Sequence, residues 1–509
     1  MKKDLDRREF LKLSGWLSLS LAIHPYLLHQ TSSLSEPEKK NILILVFDAF
    51  SANNIPIYEY GRETTPNLNK LAKQAIVYHN HYAGGNFTTP GTASLFTGTL
   101  PWTHRALNYD SKVDEGFIQK NIFQALPGYF RMAYSHNPPV NTLITQFSEN
   151  IENFLPIEKL FLSSDSFINN LFKRDEDIAT LSWARAIKRK DDGYAYSLFF
   201  SHLYEKYKDS RIKKYTAQFP LGLPHISVDN YYLLEHAVSW LKDNLPSAPT
   251  PFFGYFHLLP PHSPYYTRRE FWGRFSKDGY RPLNKSEHLF SDHISQAKLL
   301  DQRTKYDEYI LYVDEQFGRL HKELELSGLL ENTWLILTSD HGEMFERGIA
   351  GHSTAVMSQP LVHIPLLIFE PGRKNRTDVY TPTSAVDVLP TLLKLAGKDI
   401  PEWCEGKVLP PFVADKPDPS RSIFSVQARH NDPSSALRLA SVMLVKGKYK
   451  LGYFFGYDEL AKQGELVELY DIENDPDEIN NLYPEQKSLG DELLDETKAK
   501  IVEVNKPFS

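Results

Sequence analysis

At 509 residues the chain exceeds one small domain and suggests two to four compact units. With 41% hydrophobic and 24% charged residues it has the composition of a globular protein, and a net charge of −7 without a basic block excludes a nucleic-acid binder. Cys404 is the one cysteine, which excludes an internal disulfide framework and a cysteine-rich zinc site.

The N-terminal segment MKKDLDRREFLKLSGWLSLSLA places Arg7 and Arg8 before a short, mildly apolar run. It reads as a targeting segment over residues 1–30, similar to a twin-arginine export signal, with Ser20-Leu21-Ala22 fitting a small-x-small cleavage rule. The alternative is an uncleaved membrane anchor. Either reading predicts interaction with the twin-arginine export machinery and a periplasmic or cell-surface location in a bacterium.

A Ser/Glu/Lys-rich linker, residues 31–40, leads into the apolar run Asn41 to Phe47, which Asp48 stops. Such a run predicts a strand buried on both faces. Residues from about 110 to 229 show little strand pattern, and their Phe/Tyr-rich stretches predict a partly helical insertion that could cap a site. Phe252 to Phe256 is strand-like and ends at His257. Tyr306 to Leu324 carries apolar residues at helical spacing. Trp334 to Thr338 is a second buried strand, followed by Ser339-Asp340-His341-Gly342-Glu343, and Ile364 to Phe369 is a third. Strands alternating with helices predict a doubly wound α/β domain over residues 41–409. Beyond 410, Ala440 to Val445 and Tyr449 to Phe454 predict a small antiparallel subdomain closed by a helix, over residues 410–509.

In open α/β sheets, ligands bind beyond the carboxyl ends of the strands. Asp48, Asp340 and His341 stand at that point and offer two hard oxygens and an imidazole nitrogen, a set suited to Zn²⁺, Mn²⁺ or a similar ion. Taken singly, each could as well cap a turn. A bound ion would lower the pKa of an adjacent hydroxyl, and Thr88 could supply one, with Gly91 to Phe96 opening a helix toward an anionic substrate. Thr88 and Thr89 could equally be a helix-capping pair before Pro90. His257, His262 and His352 lie at a strand end or in stiffened loops, and a histidine in such a place can contact a substrate oxygen or protonate a leaving group.

At these residues the sequence resembles the sulfatase family of the alkaline phosphatase superfamily. Asn41 to Asp48 is similar to the family's opening strand and metal aspartate, and Thr64-Thr-Pro-Asn-Leu68 to its TPNLD-like helix start. Thr88 to Gly98 stands where the family has C-x-P-S-R-A-S-L-L-T-G. Phe256 to Pro264 resembles its H-x-x-x-PH-x-P loop, and Thr338 to Glu343 its S-D-H-G-E motif. Ser384 to Gly397 and Glu468 to Leu482 resemble its late helix and C-terminal signature. The resemblance implies an alkaline-phosphatase-like, mixed or mostly parallel sheet flanked by helices. It implies Asp48, Asp340 and His341 as metal ligands, with Thr88 beside the ion in the nucleophile position. His257, His262 and His352 would surround the anionic group, and Asn86, Thr89, Thr92 and His262 would contact substrate.

The departures from the family pattern are as telling. Sulfatases oxidise a Cys or Ser at the signature's first position to an aldehyde, and the Cβ methyl of Thr88 forbids that product. Thr92 replaces the signature arginine, Ala49 the second aspartate, and His363 stands where an arginine often precedes the strand. One Zn²⁺- or Mn²⁺-like ion is favoured over Ca²⁺ once that carboxylate is gone. These features predict a hydrolase of phosphate or sulfate esters working through a covalent intermediate on Thr88, with phosphodiester or phosphomonoester chemistry favoured. The alternatives are a phosphoethanolamine- or phosphoglycerol-type transferase acting on envelope glycans or lipids, and a catalytically silent protein that binds anionic glycans.

Overall fold

Asn41–Phe47 is buried at every position, and its side chains alternate between two separate cores. Leu43, Leu45 and Phe47 face one core, while Ile42, Ile44 and Val46 face the other. That period of two, apolar on both faces, makes a strand at the centre of a sheet covered by helices on each side. The structure, a computed structural model, describes residues 39–163, 196–227, 230–413, 418, 420–460 and 464–508. The targeting segment, most of the linker and the part of the expected insertion at 164–195 lie outside the described residues.

The central sheet has eight strands. Across it they run Thr377–Val379, Ile76–Tyr78, Leu366–Phe369, Thr333–Thr338, Asn41–Phe47, Phe252–Leu258, Phe130–Ser135 and Asn153–Phe154. Five neighbours from Thr333–Thr338 to Asn153–Phe154 are parallel. Leu366–Phe369 is antiparallel to both its neighbours, so the sheet is mixed and mostly parallel. Phe130–Ser135 falls within the stretch expected as an insertion and is instead an inner strand of this sheet. Its sequence, FRMAYS, begins with two half-buried residues and lacks the continuous apolar run that marks the other inner strands.

One face is covered by Gln296–Leu326, a helix of 31 residues that extends the expected 306–324 segment at both ends, together with Leu234–Asn244. The other face holds Thr88–Thr97, Pro138–Gln146 and Val388–Leu395. A four-stranded antiparallel sheet, Ser422–Gln427, Ala440–Lys446, Tyr449–Phe455 and Glu465–Asp471, follows in chain order. Helix Lys487–Asn505 buries Leu493, Leu494 and Ile501 in the core of that sheet, which Leu100 and Trp102 share. The described residues from Lys40 onward form one compact unit. Among the described residues, no helix is long and apolar enough to cross a membrane.

Candidate active site

Parallel register brings the site together. Val46 pairs with both Thr338 and His257, and His257 pairs with Ser135. The residues just beyond these positions therefore emerge along one edge of the sheet: Asp48, Asp340, His341 and Asn137. His257 Nε2 lies 3.0 Å from Asp48 Oδ2 and 3.7 Å from Asp340 Oδ2. His341 Nε2 lies 3.5 Å from Asp48 Oδ1 and 3.6 Å from Asp340 Oδ2. All four side chains are fully buried.

Thr88 opens the helix Thr88–Thr97, whose ten residues are all buried. Phe87 is extended and makes no side-chain cap, so the first turn leaves backbone N–H groups without helical partners. Pro90 falls where its missing N–H costs nothing. Thr88 does not cap the helix; its Oγ1 lies 3.2 Å from His341 Nε2. The His341 Nδ1–H donates to the Gly342 carbonyl at 2.8 Å, which leaves Nε2 as an acceptor for the Thr88 hydroxyl. Gly91 lets the helix approach this closely, since a Cβ there would stand 2.2 Å from the Asp340 carbonyl oxygen.

Burial and the neighbouring Asp48 charge push the Asp340 carboxyl up to about 7. Burial also opposes ionisation of Asp48, but His262, His257 and His341 outweigh it and hold that carboxyl below the usual range. Burial, helped by His352, keeps the His341 imidazole neutral. Asp48 Oδ1 and Asp340 Oδ2 are buried and have no hydrogen-bond partner among the described residues. Two inward carboxylates with orphaned oxygens are costly in a dry site without a cation. Asp48, His257 and Asp340 each offer one atom within 4.8 Å of the others, so this donor set fits a divalent ion. His257, expected beside the substrate, thus stands among the carboxylates.

The cleft above Thr88 has a volume of about 180 Å³. Its walls include His262 and His352, as the sequence anticipates. Glu343 Oε1 accepts from His352 Nδ1 at 3.0 Å; burial opposes the charged imidazole, but Glu343 outweighs it and raises its pKa. Three expected substrate contacts do not line this cleft. Asn86 Nδ2 donates to the Thr354 and Val356 carbonyls at 2.9 and 3.1 Å, holding the loop after His352. Thr89 Oγ1 accepts from the Asp110 N–H at 3.2 Å, and Thr92 is buried. His363 Nε2 donates to the His79 carbonyl at 2.7 Å, outside this cleft. Sequence reasoning missed Asn137, whose Nδ2 donates to Asp48 Oδ2 at 2.5 Å and lies 3.5 Å from Thr88 Oγ1. It also missed Tyr109, His225 and Arg429 on the cleft wall. Asn137 follows a strand just as Asp48 does, but FRMAYS lacks the continuous apolar run that would mark that strand in the sequence.

The family model Sulfatase matches residues 40–398, and that of the N-sulphoglucosamine sulphohydrolase C-terminal region matches residues 352–506. Choline-sulfatase of Rhizobium meliloti (strain 1021) is 25% identical over 467 residues, covering 87% of this chain and 82% of that protein. The multifunctional alkaline phosphatase superfamily protein PehA of Trinickia caryophylli is 23% identical over 501 residues, covering 87% and 91%. The crystal structure of the phosphonate monoester hydrolase of Agrobacterium radiobacter shares the fold, with a TM-score of 0.64 at 19% identity over 92% of this chain and 95% of its own. Because the Sulfatase match spans most of the chain and contains Thr88, Asp48 and Asp340, this protein belongs to the sulfatase family and is an ester hydrolase of the alkaline phosphatase superfamily.

Proposed function

We propose that the protein hydrolyses anionic phosphate esters, with sulfate esters as the second class, through a covalent intermediate on Thr88. The carrying observation is the Thr88 hydroxyl, first in its helix, turned onto His341 Nε2 at 3.2 Å and opening on the cleft. A divalent ion held by Asp48, Asp340 and His257 would lower the hydroxyl's pKa and neutralise charge on the ester oxygens. Within the chain, His341 orients the Thr88 hydroxyl, and Asn137 offers an N–H beside both Asp48 and Thr88. The Thr88 oxygen attacks phosphorus as its proton passes to His341 Nε2, and the bond to the alcohol oxygen breaks. His352, steadied by Glu343, is on the cleft wall where it can give that oxygen its proton. His352, now neutral, takes a proton from a water whose oxygen attacks phosphorus; the bond to the Thr88 oxygen breaks, phosphate leaves, and Thr88 regains its proton from His341. The methyl on the Thr88 Cβ supports this route, because the side chain cannot be oxidised to an aldehyde.

The test is turnover of matched aryl sulfate, phosphomonoester and phosphodiester substrates by purified protein loaded in turn with Zn²⁺, Mn²⁺ and Ca²⁺. We expect phosphoester turnover to fall at least about a thousandfold in Thr88→Ala, with the bound-metal stoichiometry unchanged. Unaltered turnover in that variant would remove Thr88 from the mechanism.

A further inference from the structure

The signature arginine is absent at Thr92, yet the cleft does have a cation. Arg429 lines it, together with Tyr109 and Gln427. Among the described residues no lysine and no carboxylate shares that wall, and Arg429 is there the only lining side chain that is charged at every working pH. Among the described residues its guanidinium makes neither a hydrogen bond nor an ion pair. An unpaired guanidinium facing a substrate cleft has its five donors available to a ligand.

The backbone beneath it is tightly held. His430, at φ +74°, turns the chain immediately after Arg429. The His430 N–H donates to Asn108 Oδ1 at 2.8 Å, and Asn108 Nδ2 donates to the Asn431 carbonyl at 3.0 Å. Asn431 Nδ2 donates in turn to the Ala428 carbonyl at 2.8 Å. These bonds fix the Arg429 loop to the segment that carries Tyr109, an aromatic side chain 67% exposed. Guanidinium and ring therefore sit on one rigid rim, while Thr88 lies in the cleft with the reacting group. Rigid backbone under an unpaired side chain is the arrangement a recognition site needs.

We propose that Arg429 binds a second anionic group, a carboxylate, sulfate or phosphate, on the alcohol half of the ester, with Tyr109 against the ring that carries it. This rests on the hydrolase reading above and narrows it to substrates bearing two anionic groups. A planar fork of donors suits a two-oxygen anion.

The experiment compares 4-carboxyphenyl phosphate with its neutral twin, 4-carbamoylphenyl phosphate, in wild type, Arg429→Gln and Arg429→Glu, with melting curves to confirm folding. We expect Arg429→Gln to lower kcat/KM for the carboxylate about tenfold, through KM, and to leave the neutral twin within about twofold. Arg429→Glu should reverse the preference. An unchanged ratio in both variants, or equal losses on both substrates, overturns the assignment. Failure of the hydrolase reading looks different: wild type then turns over neither ester, or Thr88→Ala retains both.

Discussion

Asn137 Nδ2 stands between a buried carboxylate and the Thr88 hydroxyl, 2.5 Å from Asp48 Oδ2 and 3.5 Å from Thr88 Oγ1. On the mechanism proposed above, an amide so placed steadies the Thr88 hydroxyl and meets charge that develops on an ester oxygen. Asn137→Ala is expected to lower kcat about a hundredfold, while the metal content and the melting temperature stay near wild type. Loss of metal in step with activity would make it a support for Asp48 only. At this scale the sequence was informative where a residue ended a continuous apolar strand, as Asp48 and Asp340 do. Asn86, Thr89 and Thr92 were harder to place because the direction of a side chain depends on neighbours from distant segments. Asn86 reaches the carbonyl of Thr354, 268 positions away.

Between elements, the long helix Gln296–Leu326 anchors the start of the short helix Pro66–Leu71. Asp314 accepts the N–H groups of Asn67 and Leu68, both at 2.8 Å, which would otherwise lack partners. Burial pushes the Asp314 carboxyl up to about 6 from its ordinary 3.8. A carboxyl raised in the folded state holds its proton longer than the unfolded chain does. Its contribution is fully present below about pH 4 and is lost as pH rises through 6. The linkage amounts to about 3 kcal/mol over that interval. Urea unfolding should therefore show wild type losing about that much relative to Asp314→Asn between pH 4 and pH 7. A constant difference between the two proteins would sink the argument. The helical period of Tyr306 to Leu324 was legible in the sequence, but the partner of Asp314 was not, since it is supplied 246 residues earlier.

Across the whole molecule, the C-terminal signature reaches back to the loop that carries Asp340 and His341. Glu478 and Lys450 form a fully buried ion pair, each 2% exposed. Glu478 Oε2 also accepts the Gln359 N–H at 2.9 Å, at the head of the short helix Gln359–Val362. From that helix the Leu361 carbonyl accepts the Gly342 N–H at 2.7 Å, beside His341. Lys450→Met would strand a buried carboxylate and is expected to destabilise the protein by about 3–5 kcal/mol, with most of the loss recovered in Lys450→Met/Glu478→Gln. Equal unfolding midpoints for single and double variants would contradict that coupling. By itself the sequence determined the α/β pattern and the family, and it marked Asp48, Asp340 and His341 as candidates where apolar runs stop and Thr88 as one by its place in a motif, because such patterns are local properties. Only the tertiary structure decided that His257 joins the carboxylates, that Phe130–Ser135 enters the sheet to deliver Asn137, and that Arg429 shares the cleft with Thr88. Those outcomes depend on strand register and on contacts between segments hundreds of residues apart, for which no local pattern of residues is required.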